Sequence, residues 1–229
     1  MPIAITTISS ELRSQLLGGL SQLDRKTILS AATQRRFAAH SVATNQGHPA
    51  DHLFLLTKGC ARHFFVTEEG KKLLLKWLVP GDLFGGRAIL SSKSCYLAST
   101  EVVRDSSVFV WDRTTIRGLV ERYPRLLENA LLGASDYVEW HLTSHIGLAC
   151  CTARQRVAHT LITLARSVGQ EAAGGIALHI TNEDLANAEN VTPFTASRLI
   201  SEWQRSGVLE KRRGKLVLRW PERLRLGTI

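Results

Sequence analysis

The chain has 229 residues, 44% hydrophobic and 21% charged, an ordinary globular composition long enough for one large domain or two smaller ones. No run approaches the roughly 20 apolar residues of a membrane span. The N-terminus also lacks the basic stretch and apolar core of a signal peptide, so a cytoplasmic protein without a membrane partner is expected.

The formal net charge is +9, which predisposes the surface toward polyanions. Residues 1–149 carry 17 Lys/Arg against 13 Asp/Glu, and residues 150–229 carry 12 against 7, so positive charge is denser toward the C-terminus. The four cysteines, Cys60, Cys95, Cys150 and Cys151, form no CxxC pair and no close cluster. They therefore read as free thiols, with neither a zinc nor an iron–sulfur motif and no metal site.

Residues 9–33 show helical patterning through Leu12, Leu16, Leu17, Leu20, Leu23 and Ile28, in two segments around Ser21. From about Phe37 to Trp111 the pattern changes to short apolar runs divided by turn residues. His52–Thr57 is followed by Lys58-Gly59, then Cys60–Val66, Thr67-Glu68-Glu69-Gly70, Lys71–Val79 and Pro80-Gly81-Asp82. Runs of that length predict an antiparallel barrel or sandwich.

After Asp112 the chain turns helical, and Pro124 suits the first turn of a helix running to about Cys151. Leu127, Leu131, Ala134, Val138, His141, His145 and Leu148 recur at steps of 4, 3, 4, 3, 4, 3. This is a seam by which two helices can supercoil together, and it predicts a homodimer. The alternative is an amphipathic helix lying on its own barrel. A further helix, about Ala153 to Val168, carries Val157, Leu161 and Leu164 on one face before Gly169 and Gly174-Gly175.

Thr181 can cap a short helix over Asn182–Ala188, Glu189-Asn190-Val191 can turn, and Thr192-Pro193 can open a second helix closed by Gly207. That is the spacing of a helix-turn-helix. Ala196, Leu199, Ile200 and Trp203 form its inner face; Phe194, Ser197, Arg198 and Ser201 form the outer one. Arg198 can bridge guanine O6 and N7, and Ser197 and Thr195 can serve bases or phosphates. Phe194 offers an apolar contact such as a thymine methyl. A hairpin over Val208–Leu218 follows, with Lys211, Arg212, Arg213 and Lys215 at its tip to meet phosphates. With Thr192, Pro193 and Arg205 these residues form the expected interface with double-stranded DNA.

In this order of parts the chain resembles the CRP/FNR family of bacterial regulators. Asn45-Gln46-Gly47, Leu56-Thr57-Lys58-Gly59 and Pro80-Gly81-Asp82-Leu83-Phe84-Gly85 are similar to the corners of the family's beta-roll, and Arg156–Leu161 to the start of its DNA-binding domain. The resemblance implies an α+β chain in three parts. These are an antiparallel, cyclic-nucleotide-binding-like beta-roll sensor over residues 1–120, a dimerisation helix over 121–151, and a winged helix-turn-helix over 152–229. It also implies a near-palindromic operator and RNA polymerase as a further partner.

Where cyclic-AMP-binding members carry a Gly-Glu pair and then an Arg-Ser or Arg-Thr pair, this chain reads Gly85-Gly86 and Tyr96-Leu97. The carboxylate for the ribose and the guanidinium for the phosphate are absent, so no cyclic-AMP binding is expected. The cysteine cluster of oxygen-sensing members is absent too, and Pro193-Phe194 stands where an Arg-Glu or similar polar pair is common. An effector of another kind should lie near Gly85, Gly86, Tyr96, Leu97, Tyr137, Trp140 and His141. His141 and His145, one turn apart, can serve a metal or haem, or simply sit in the seam. The competing function is a ligand sensor acting through protein contacts, with weak, sequence-indifferent DNA binding. No GxSxG, P-loop, HExxH or Ser/His/Asp arrangement is visible, so catalysis is not expected.

Overall fold

The computed structural model describes residues 14–212 and 214–225. They group into two compact units, Met1–Glu139 and Trp140–Ile229.

In the first unit a 3-10 turn, Gln15–Leu17, precedes helix α1, Gln22–Ser30. Ser21 caps α1 by accepting from the Asp24 amide, in keeping with the break at Ser21. Leu16, Leu17 and Ile28 are buried, whereas Leu23 is exposed and Leu12 lies outside the described residues.

Six antiparallel strands follow: β1 Thr33–Phe37, β2 Val42–Thr44, β3 His52–Val66, β4 Lys72–Leu78, β5 Leu83–Phe84 and β6 Ser99–Asp112. The path is β1-β6-β3-β4, with β2 on β6 and β5 on β3. The sequence divides residues 52–66 at Lys58-Gly59. The structure instead keeps one strand, whose register against β6 shifts between Leu56 and Ala61. Gly59 is a bulge there (φ 103°), and a Cβ on it would strike the Ser106 hydroxyl. The break is a site of close backbone approach rather than a corner.

Alternation along β3 and β6 supplies two cores. Leu53, Leu55, Phe109 and Trp111 pack with Leu16, Leu17, Ile28, Leu29, Ile116, Leu119 and Leu126. Phe54, Leu56, Val108 and Val110 face the other way, onto Ala61, Leu78 and Phe84. The Trp111 indole donates to the Ile28 carbonyl at 2.9 Å, so the large ring buries no orphan donor.

Helix α2, Arg113–Arg122, is capped by Asp112, and α3 runs over Arg125–Cys150. Buried Asn129 on α3 donates to the carbonyls of Leu16 and Gly18, both at 2.8 Å. This clamp joins α3 to the turn at Gln15–Leu17, and sequence patterning passes over it.

In the second unit α4, Ala153–Ser167, opens on a reciprocal Thr152/Gln155 cap. A four-stranded antiparallel sheet is ordered β7-β8-β10-β9. One of its two hairpins, β7 Gln170–Ala172 and β8 Gly175–Leu178, reads in the sequence only as glycine punctuation. The other pair, β9 Leu209–Arg212 and β10 Lys215–Leu218, is the expected hairpin. Between them lie α5, Asn182–Glu189, and α6, Pro193–Arg205.

Candidate nucleic-acid interface

Local chemistry sets the two helices of the candidate reader. Thr181 and Asp184 cap α5 reciprocally, Asn190 takes the left-handed conformation (φ 49°), and the Thr192 hydroxyl accepts from the Thr195 amide at the start of α6. Pro193 occupies the first position, where a missing N–H costs nothing. Gly207 adopts φ 71° just past the end.

The two faces of α6 separate as the spacing predicts. Ala196, Leu199, Ile200 and Trp203 are buried. On the other side Phe194 is 79% exposed and the Arg198 side chain 63% exposed. Thr192, Pro193, Ser201 and Arg205 are exposed as well; Thr195 and Ser197 are half-buried. The Thr195 hydroxyl pairs with that of Thr192 at 2.9 Å, and the Ser201 hydroxyl donates to the Ser197 carbonyl.

Arg198 approaches Glu202 only to 3.9 Å, while the other oxygen of Glu202 accepts from Arg154 at 2.7 Å. The carboxylate therefore belongs chiefly to Arg154, and the Arg198 guanidinium keeps donors for another acceptor. No acidic side chain stands in the first turn of α6, so nothing there opposes an approaching polyanion.

The turn before α6 holds Glu189, an unusual residue for that place. Arg156 Nη2 and Nε donate to its carbonyl at 3.0 and 3.3 Å, Arg156 Nη1 donates to the Cys151 carbonyl at 2.8 Å, and the Thr160 hydroxyl donates to its carboxylate. Burial pushes the Glu189 carboxyl above its ordinary range, with Thr160 and Arg156 pulling the other way. The glutamate fastens the helix-turn-helix to α4.

The hairpin tip departs from expectation. Arg212 donates to Glu210 at 2.8 and 3.1 Å and reaches the Ala173 carbonyl at 3.4 Å, and Arg219 donates to the same carboxylate at 2.8 Å. Arg212, then Arg219, hold the Glu210 carboxyl down at about 2. The Arg212 charge is thus already partnered. Lys211 is exposed, Lys215 half-buried, and Arg213 lies outside the described residues.

On α3, Leu127, Leu131, Ala134, Val138, His145 and Leu148 are exposed, whereas His141 is half-buried. The His141 ring meets Trp140 edge-on at 4.9 Å. Leu142 and Ile146, about 60% exposed, extend the apolar stripe and lie outside the heptad count. A strict seven-residue count drifts about 20° per heptad on a straight helix, so the stripe slides away from His141.

The expected effector residues fare unevenly. The Tyr96 ring lies against Gly85, 3.2 Å from where a Cβ would stand, and its hydroxyl bonds the backbone N–H and C=O of His52 at 3.1 and 3.2 Å. A Cβ on Gly86 would meet open space, and Leu97 is 68% exposed. Tyr137 meets His63 edge-on at 6.4 Å and lies under the Lys76 ammonium at 5.9 Å. Nothing in the sequence pattern singles out His63 or Lys76. Burial raises the Tyr137 hydroxyl. Trp140 and His141 belong to the other compact unit. These groups do not fit a cyclic nucleotide: Tyr96 is committed to the backbone, and Gly86 offers no side chain to a ribose. Among the described residues no group of three or more His, Cys, Asp or Glu is arranged to hold a metal ion.

Comparison with known proteins agrees with this geometry. The family model of the cyclic nucleotide-binding domain matches residues 34–123, and that of the Crp-like helix-turn-helix domain matches residues 155–226. The chain is 25% identical over 207 residues to the anaerobic regulatory protein of Bacillus subtilis (strain 168), covering 86% of this chain and 84% of that one. It is 28% identical over 207 residues to the cyclic AMP receptor protein of Thermus thermophilus, covering 90% and 93%. A solved CRP/FNR family transcriptional regulator, also from Thermus thermophilus, superposes with a TM-score of 0.73 at 24% identity, covering 85% of this chain and 97% of that one. With both models matched in order on one chain, and the roll, long helix and helix-turn-helix present in that order, the chain belongs to the CRP/FNR family of transcription regulators.

Proposed function

We propose that the chain is a dimeric regulator that reads a near-palindromic operator by laying α6 of each copy in the major groove. The observation that carries this reading is Arg198: it stands 63% exposed on the outer face of a helix whose inner face is wholly buried, and it is only loosely held by Glu202. A guanidinium so placed can make two hydrogen bonds to guanine O6 and N7, worth about 1–3 kcal/mol of discrimination. Thr195, Ser197, Ser201 and Arg205 flank it, and Thr192 and Lys211 suit the phosphates. Lys215 belongs to the same wing, while Arg212 serves first to brace it through Glu210.

The stripe on α3 supports pairing of two copies, which would set their half-sites about one helical turn apart. Tyr96 and Gly86 support an effector other than cyclic AMP. RNA polymerase is the expected recipient of the signal once the dimer is on DNA.

The test is fragment selection by the purified protein, followed by a gel shift on the selected site. Arg198→Ala is expected to lose about 1–3 kcal/mol per half-site of the cognate operator and to relax the preference at one base pair in each. An unchanged preference removes Arg198 from the reading role. The protein-contact reading predicts instead weak binding to every sequence with the same steep salt slope.

A further inference from the structure

Phe194 is the most exposed large hydrophobic side chain among the described residues, at 79%, and it stands at the second position of α6. The fold itself does not account for it there. The buried face of α6 is supplied by Ala196, Leu199, Ile200 and Trp203, and the helix start is already fixed by Thr192 and Pro193. The ring shares the outer face with Ser197 and Arg198, on a helix whose first turn bears no acid. In a C-terminal segment with 12 basic against 7 acidic residues, a polyanion is the surface most readily drawn to that face.

A phenyl ring neither donates nor accepts, so it gains nothing from phosphates or from most base edges. The major groove displays one apolar feature, the C5-methyl of thymine. The geometry points to Phe194 as a specificity residue that reads a thymine methyl in each half-site. This rests on the reading of α6 as the DNA-contacting helix and names part of the operator. Phe194 and Arg198 are four residues apart, hence about 6 Å along the helix. Stacked bases are about 3.4 Å apart, so the thymine should lie one or two base pairs from the guanine of Arg198.

The experiment uses the full-length protein and the operator recovered by selection. Each thymine of a half-site is replaced in turn by deoxyuridine, which removes only the methyl group, and Kd is measured by fluorescence anisotropy. At one thymine per half-site the wild-type protein should lose about fourfold in affinity, the worth of one buried methyl-sized group. Phe194→Ala should bind the thymine operator more weakly and show no uracil penalty, while Phe194→Leu should keep part of it. Placing 5-methylcytosine against cytosine at that position should restore a preference for the methylated base with wild-type protein only. Thermal melts of both variants should match wild type, since the ring is outside the core.

A selected operator that tolerates uracil at every thymine overturns the role of Phe194 and leaves the DNA-binding reading standing. So does a penalty of the same size in Phe194→Ala. Failure to select any sequence overturns both.

Discussion

At the residue scale, Glu189 shows how a side chain that breaks a local expectation can be held by partners remote in sequence. Its carboxylate meets Thr160 and its carbonyl takes two donors from Arg156, 33 positions away. The carboxyl is raised above its ordinary 4.5 by burial, so the folded chain holds that proton more tightly than the unfolded one. The stability so gained is complete below 4.5 and is lost as pH rises through the raised folded value. Glu189→Gln removes the titration while its amide oxygen can still accept from Thr160. Denaturant melts from acid to neutral pH are therefore expected to show wild type losing ground to the variant as pH rises; parallel curves would refute the assignment. Glu210 shows the opposite sign, held near 2 by Arg212 and Arg219 at the surface, where solvent screening leaves little net effect.

At the scale of elements, α3 carries the heaviest demand. Leu131, Val138, Leu142 and Ile146 are exposed on one helix of a single chain, an apolar stripe larger than soluble monomers commonly leave to water. Placing a charge within it should separate the copies, because a carboxylate buried between two apolar helices has no partner. Ile146→Glu is expected to shift the protein from dimer to monomer in sedimentation equilibrium and to weaken operator binding by at least about tenfold, since one reader then holds one half-site. A variant that stays dimeric would show that the stripe serves something else. The wing offers a subtler comparison: Lys211→Ala should lower the slope of log affinity against log salt by about one, whereas Arg212→Ala acts first by releasing Glu210.

At the scale of the whole molecule, the roll and the helix-turn-helix fall in separate compact units on one chain, so an effector held by the roll would act by favouring one arrangement of a dimer over another. Titration with cyclic AMP is expected to give no heat and no change in operator affinity, because Tyr96 and Gly86 present neither the guanidinium nor the carboxylate that such a ligand needs. A saturable isotherm, or cyclic-AMP-dependent DNA binding, would contradict this. The chain shares its roll with relatives named for cyclic AMP, so fold alone does not settle the ligand.

Much of the architecture was legible because it is written in local chemistry. Ser21, Thr152, Thr181 and Thr192 mark helix starts, Asn190 and Gly207 mark turns, and the inner and outer faces of α6 follow from a 3.6-residue period. These depend on neighbours within one turn of chain, which a linear reading sees. What only the tertiary structure decided were pairings across sequence distance: Tyr96 with His52, 44 positions away, Asn129 with the carbonyls of Leu16 and Gly18, and Arg154 with the Glu202 carboxylate, 48 positions away. The continuity of β3 through Gly59, set by its register on β6, is of the same kind. A buried polar group must find some partner, but which one depends on what the fold brings near it. Sequence alone could therefore place α6 and its outer face, but not say which of its neighbouring cations were already taken.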